Sequence, residues 1–216
     1  MHIDPGALNA AKVLYGHAAA IATLLVYAPR WIGRLDQIAK TLLAALFFSL
    51  FMQAYHVPAG VSELHFIGAS AIYFVFGFLP TLFGFAIGLL LQGLLFEPQD
   101  LLHLGVNSLS LMLPLIAAHG LFGRQLFGND SRRLSWQQVV RFDAVYYSGV
   151  VAMVGFWLAI GEEPLPLDNW LLFAASYAPL VLCEPLFTCL AVRLLKRWPQ
   201  SSLLQRLTCV DSLRLA

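Results

Sequence analysis

The chain has 216 residues, of which 59% are hydrophobic and 12% charged, with a formal net charge of +1. A soluble domain carries about 25% charged residues, so this composition excludes a soluble globular protein. The lack of a basic excess excludes a nucleic-acid binder, and the length leaves little room for a second domain beside a membrane one.

From the N-terminus, the chain opens Met1-His2. A free amine followed at once by histidine is a chelator: it offers the α-amine, the His2 amide nitrogen and the His2 imidazole from one short stretch. One further imidazole completes a four-nitrogen set, and planar nitrogen sets suit Ni²⁺ and Cu²⁺ and accept Co²⁺. No basic segment precedes the first apolar stretch and Asp4 sits early, so the start is expected to be retained, unlike a cleaved signal. Residues 3–9 contain Pro5 and Gly6 and cannot begin as regular helix. They are expected to fold back as a plug, 1–9, that carries Met1 into the protein from outside.

A membrane-spanning helix needs about 20 largely apolar residues. Spans are expected at 10–29, 38–56, 64–80, 81–96, 101–122, 141–160 and 170–193. The stretch 64–96 is one apolar run, too long for one span, and Pro80 near its middle is the expected break. Seven spans put Arg30, Arg34, Lys40, Arg124, Arg132, Arg133 and Arg141 on one side. The tail adds Arg193, Lys196, Arg197, Arg206 and Arg214, leaving Lys12 alone of the basic residues. The other side holds Asp4, Glu63, Glu97, Asp100, Glu162, Glu163 and Asp168. Positive charge stays inside, so the C-terminus is expected in the cytoplasm and the N-terminus outside. The expected architecture is an all-α, polytopic membrane bundle of about seven transmembrane helices forming a single domain over 1–216. It comprises the plug, a helical bundle over 10–193 and a cytoplasmic tail over 194–216. From Trp198 onward the tail has Leu203, Leu204 and Leu207 at helical spacing, as expected of a segment lying along the inner membrane surface.

His2, His56, His65 and His103 map to the outer face, His17 lies inside the first span, and His119 lies near the inner end of the fifth. For His56, His103 and His119 the ordinary role is a bond to a backbone carbonyl or a helix cap. His17 reads equally as structural or as support for a ligand. His65 follows the outer loop PAGVSEL and can meet the plug. Gln92 and Asn107 are amides within apolar helices, able to orient a ligating histidine or to bond one helix to another. Glu184, before Pro185 in the last span, is open between a protonated structural group, a kink partner and part of a proton path. Gly16 and the alanines of the first span form a smooth face for another span or another subunit. Cys183, Cys189 and Cys209 include no CxxC and read as inert. No GxxxxGK[ST], HExxH or GxSxG is present, so neither a phosphate-loop ATPase nor a zinc protease or esterase is expected. The rival reading is a membrane haem or electron-transfer protein. His17 and His119 differ in depth by roughly 16 Å at about 1.5 Å per residue, too far to share one iron, while His17 with His103 remains open.

MHIDPG at the start resembles the opening of the CbiM/NikM proteins, the metal-binding membrane components of energy-coupling-factor transporters for cobalt and nickel. The resemblance continues in order through VSELHFIGAS, LLLQGLLF and LGVNSLSLMLP and covers residues 1–118, with the rest alike only in span pattern. It implies import of Co²⁺ or Ni²⁺ as substrate, with no organic cofactor and no enzymatic activity of the chain's own. It also implies metal ligation by Met1, His2 and His65, with Asn107, Gln92 and Ser62 supporting those ligands. The implied setting is the bacterial inner membrane, with a transmembrane coupling subunit and cytoplasmic ATPase subunits as partners. Glu63 and Ser110 depart from the family pattern, at positions where serine, threonine or glycine and an amide are usual.

Overall fold

A computed structural model describes residues 8–54, 56–59, 62–127, 133–162, 167–198 and 201–216; for 56–59, 62–64 and 169 it describes the backbone alone. In hydrocarbon every backbone N–H and C=O must be satisfied within the protein, which selects helices. The chain obeys. Helix α1 spans Ala10–Tyr27 and α2 Leu35–Ala54, joined through a 3₁₀ turn at Ala28–Arg30. An antiparallel hairpin follows, β1 His56–Ala59 with β2 Ser62–His65. Then come α3 Ala69–Phe76, α4 Phe78–Leu95, a 3₁₀ turn Pro98–His103 and α5 Leu104–Leu121. Strand β3 (Arg133–Leu134) leads into α6 Trp136–Ala159, followed by α7 Leu167–Ser176 and α8 Ala178–Leu195. Last are α9 Ser202–Leu207 and β4 Arg214–Leu215.

Six helical stretches are long and apolar enough to cross a membrane, α7 and α8 counting as one through Trp170–Leu195. The bundle therefore has the expected all-α, multi-pass character, but several bounds differ, and the expected last span, 170–193, is divided between α7 and α8. The expected third span, 64–80, is only partly helical: α3 has 8 residues, about 12 Å at 1.5 Å per residue. The break with α4 falls at Gly77, whose φ of +88° suits glycine, and not at Pro80. Pro80 is the third residue of α4, where its missing N–H has no helical partner to lose. The sixth helix begins at Trp136, earlier than 141, because Ser135 and Gln138 close a capping box there.

The helices meet at glycines. A Cβ on Gly84 would stand 2.7 Å from the Ala44 Cβ, and one on Gly88 would stand 2.4 Å from the Phe48 ring. This lets α2 and α4 pack backbone to backbone, and Ser49 on α2 donates to the Gly88 carbonyl at 3.1 Å. A Cβ on Gly16 would meet Val106 at 2.6 Å, and one on Gly105 would meet the His17 backbone at 2.5 Å. The smooth face of α1 thus lies at Gly16 against α5.

One end of the bundle carries Glu97, Asp100, Glu162 and Asp168, and among the described residues the arginines and the lysines other than Lys12 lie toward the other. The tail packs against the bundle. It folds back across the basic end, with Val210 and Leu213 buried and β4 parallel to β3. The Cys209 N–H donates to the Val75 carbonyl at 2.6 Å, closing the end of α3. Its thiol, pushed up by burial, stays protonated and donates to the Phe76 carbonyl at 3.2 Å. Lys196 donates to the Leu213 carbonyl.

Close approach at Gly88 gives a direct test. Gly88→Val is expected to cost about 1–3 kcal/mol through overpacking and to lower the thermal midpoint of the detergent-purified protein. Gly120→Ala, where a Cβ would meet nothing within 4 Å, is expected to leave the midpoint unchanged or raise it slightly.

Candidate metal centre

The acidic end gathers the start of α1, the ends of α2, α4 and α6, and the start of α5. Leu8 is buried there. Asn9 caps α1 by accepting from the Lys12 N–H and donates to Glu162 at 2.6 Å. Lys12 bonds the same carboxylate at 3.0 Å. These bonds from Lys12 and Asn9 hold Glu162 below the ordinary carboxylate range. They fix where the chain joins the bundle, against the end of α6. The expected ligands Met1 and His2, and plug residues 3–7, lie outside the described residues.

His65 is the last residue of β2, its Cα paired with that of His56, and its side chain is 3% exposed. Its Nδ1 lies 3.3 Å from the Met52 carbonyl oxygen in the last turn of α2. A carbonyl can only accept, so Nδ1 carries the proton, and in the neutral ring Nε2 holds the lone pair. That is the arrangement of a metal-binding imidazole whose second nitrogen is oriented by the protein. The next residue of α2, Gln53, reaches the Gln92 carbonyl oxygen with its amide at 3.5 Å. The end of α2 thus holds both His65 and Gln92. Gln92 and Asn107 are both buried. Gln92 lies three residues before the end of α4 and Asn107 three residues into α5, so each sits about 4–5 Å below the turn that joins the two helices. Ser62 faces Ala59 in the hairpin; its side chain is outside the described residues. Among the described residues no group of three His, Cys, Asp or Glu could hold a metal ion. Of the expected ligand set, the described part contains His65.

Two of the other histidines, His17 and His119, have structural partners. His17 accepts the Gly105 N–H at Nδ1 (3.2 Å), so Nε2 carries the proton and donates to the Leu102 carbonyl at 3.2 Å. Both nitrogens are used at the start of α5, which settles its role as structural. His119 bonds the Tyr73 hydroxyl at 2.6 Å and stacks on Phe78 at the basic end. His17 is thus unavailable to an iron and His119 is at the far end, so the haem reading, including His17 with His103, has no support. His103 is buried at the start of α5, and the side chain of His56 is outside the described residues.

A second polar cluster was not assembled from sequence. Ser70 on α3, Asp143 and Tyr147 on α6, and Glu184 and Thr188 on α8 are all buried. The Ser70 N–H donates to Glu184 Oε1 at 2.7 Å, and the Tyr147 hydroxyl donates to Glu184 Oε2. Ser70 Oγ is 3.1 Å from Asp143 Oδ2, 3.1 Å from Glu184 Oε1 and 2.7 Å from Thr188 Oγ1. Glu184 was visible as a polar group within the last span, whereas Asp143 lay too near the edge of its expected span to stand out. Nothing in the sequence pairs the two.

The described geometry is that of a multi-pass helical membrane protein with a buried, oriented histidine and two buried amides toward one end. Residues 2–201 match the family described as CbiM, cobalt uptake substrate-specific transmembrane region, and the chain belongs to that family. A Haemophilus influenzae protein provisionally described as a metal transport protein is 28% identical over 205 residues, covering 93% of this chain and 96% of its own. A crystal structure of a transition metal transporter shares the fold, with a TM-score of 0.70 at 20% identity, covering 95% of this chain and 97% of its own.

The His65 geometry fixes a tautomer that can be read directly. In metal-free protein near neutral pH, ¹⁵N spectra of labelled histidine are expected to show His65 protonated at Nδ1. A signal for His65 protonated at Nε2 alone would remove the basis for treating Nε2 as the ligating atom.

Proposed function

We propose that the chain is the substrate-capture membrane component of an energy-coupling-factor transporter that imports Co²⁺ or Ni²⁺. The observation that carries this reading is His65, buried with Nδ1 tied to the Met52 carbonyl and Nε2 as the lone-pair nitrogen, in a chain of the cobalt uptake family. The metal is the transported substrate. It is held by the Met1 amine, the His2 amide nitrogen and imidazole, and His65. Gln92, Asn107 and Ser62 bond and orient that set. Hydrolysis of ATP belongs to cytoplasmic ATPase subunits reached through a transmembrane coupling subunit. The chain itself carries no phosphate loop and is a transport component without enzymatic activity, organic cofactor or nucleic-acid partner. It sits in the bacterial inner membrane with its acidic end outside and its basic end in the cytoplasm.

Transition metals are selected by donor type and geometry. Three nitrogens from two consecutive residues, closed by one imidazole, favour a planar field that suits Ni²⁺ and accepts Co²⁺, and the family description favours cobalt. Deprotonating the amine on binding also avoids leaving an ammonium charge within the membrane protein.

Extending the chain by one residue before Met1 is expected to abolish binding while leaving the fold intact, because the amine moves out of the chelate. His2→Ala and His65→Ala are each expected to weaken binding by at least about 10-fold, the lower scale of losses from changes around metal ligands. His56→Ala and His103→Ala are expected to do much less. Elemental analysis of the extended protein checks the first point, and unchanged metal content there would sink the N-terminal chelate.

A ligated amine must lose its proton, and a free α-amine titrates near about 7.7–8.0. The His2 amide releases another proton. Binding is therefore expected to weaken as pH falls from about 8 to about 6, more steeply than for a site of two imidazoles. Titration with Ni²⁺, Co²⁺ and Zn²⁺ at several pH values checks this. Tight Zn²⁺ binding with little pH dependence would rule out the amine and amide as ligands.

A further inference from the structure

The Asp143–Glu184 cluster lies away from the metal centre, between α3, α6 and α8, and its hydrogens can be counted. The Ser70 hydroxyl has one proton and three oxygen neighbours: Asp143 Oδ2, Glu184 Oε1 and Thr188 Oγ1. Thr188 can donate to Ser70, and Ser70 can donate to one carboxyl. The remaining contact needs a hydrogen that only a carboxyl can supply. Glu184 already accepts from the Ser70 N–H at Oε1 and from Tyr147 at Oε2, which is the surrounding of an anion. Asp143 has no such donors. Among the described residues its Oδ1 has no partner, although the residue is fully buried. The arrangement that satisfies every contact puts the proton on Asp143 Oδ2, donating to Ser70 Oγ, while Ser70 donates to Glu184 Oε1.

Among the described residues, the groups around the pair offer no bonded counter-charge. Ser70 faces it from α3, Tyr146 and Tyr147 from α6, Tyr177 from the turn before α8, and Thr188 and Cys189 from α8. Arg193, one turn beyond Cys189, lines a separate small cavity with Cys189, Leu134, Ser135 and Leu215. Two carboxylates fully out of water without a bonded cation are costly, and one retained proton halves that charge.

The pair also has a mechanical consequence. Gly68, which precedes α3, has no side chain to cap the helix. Glu184 caps it from α8, through the N–H of the second helical residue, Ser70. Ser70 is five residues after His65. We propose that Asp143 and Glu184 form a one-proton site, with Asp143 protonated and Glu184 ionised, that clamps the start of α3 and thereby positions His65 for metal capture. The positioning half rests on the metal-capture reading above; the proton site does not.

The assignment predicts opposite behaviour for the two acids. Asn mimics a protonated Asp, so in the full-length purified protein Asp143→Asn is expected to keep the thermal midpoint and the Ni²⁺ affinity. It is also expected to abolish a protonated-carboxyl C=O band seen by infrared spectroscopy in the wild type at neutral pH. Asp143→Ala, which leaves Ser70 without that donor, is expected to lower the midpoint. Glu184→Gln removes the anion that three donors address; it is expected to lower the midpoint and weaken Ni²⁺ binding by about 10-fold. Tyr147→Phe removes one of those donors and is expected to give a smaller loss of the same kind, a measurement that stands if Glu184→Gln fails to fold. A carboxyl band that survives Asp143→Asn, or tolerance of Glu184→Gln with damage from Asp143→Asn, would overturn the proton assignment. A lowered midpoint with unchanged Ni²⁺ affinity in both Glu184→Gln and Tyr147→Phe would overturn the positioning of His65. If the wild type binds neither Co²⁺ nor Ni²⁺, the metal reading fails, and the infrared and thermal results still decide the proton site.

Discussion

Helix α3 is too short to cross a bilayer alone, and much of the molecule is arranged around holding it in place. Above it, the β1–β2 hairpin brings His65 to the end of α2. At its start, Glu184 of α8 supplies the cap that Gly68 lacks. At its end, Gly77 turns the chain into α4 with a positive φ, and the N–H of Cys209 reaches in from the tail to bond Val75. A short helix in a membrane protein leaves backbone groups without partners at both ends. Here they are met by residues from far along the chain.

The same accounting explains the polar groups buried between the other helices. Ser49 bonds the Gly88 carbonyl, the Trp157 indole donates to Ser110, and His17 uses both ring nitrogens on the backbone where α5 begins. Each ties two helices together at a point where glycine or a helix end exposes a backbone group or a small hydroxyl. The hydrophobic effect gives little help in choosing helix partners within lipid, so close glycine contacts and such bonds carry the specificity.

Membership of the cobalt uptake family and a shared fold with a transition metal transporter fit a bundle whose polar interior has two separate parts. One, at the acidic end, holds an oriented imidazole and the Gln92 amide, each bonded to the last turn of α2. The other, deeper, holds carboxyls and hydroxyls between α3, α6 and α8. They are linked by the five residues from His65 to Ser70, so movement of α3 would be felt at both.

The sequence by itself determined the membrane character, the order of the helical segments, the segregation of basic residues to one end and the family. These follow from composition, run length and a local motif, all of which are properties of contiguous residues. It also marked Gln92 and Asn107 as amides within apolar helices and His65 as a histidine after the outer loop, and the structure buries all three. The tertiary structure decided what depends on distant partners. The chain breaks at Gly77 instead of Pro80, with a positive φ and the tail's Cys209 packed beside it, its Sγ 3.1 Å from where a Cβ would stand. His17 became structural only when Gly105 and Leu102 were placed against it. Asp143 and Glu184 lie far apart in the chain, and only helix packing sets both around one serine hydroxyl. Periodicity and hydropathy record which residues avoid water; which oxygen finds which hydrogen is fixed by the packing of helices that are distant in sequence.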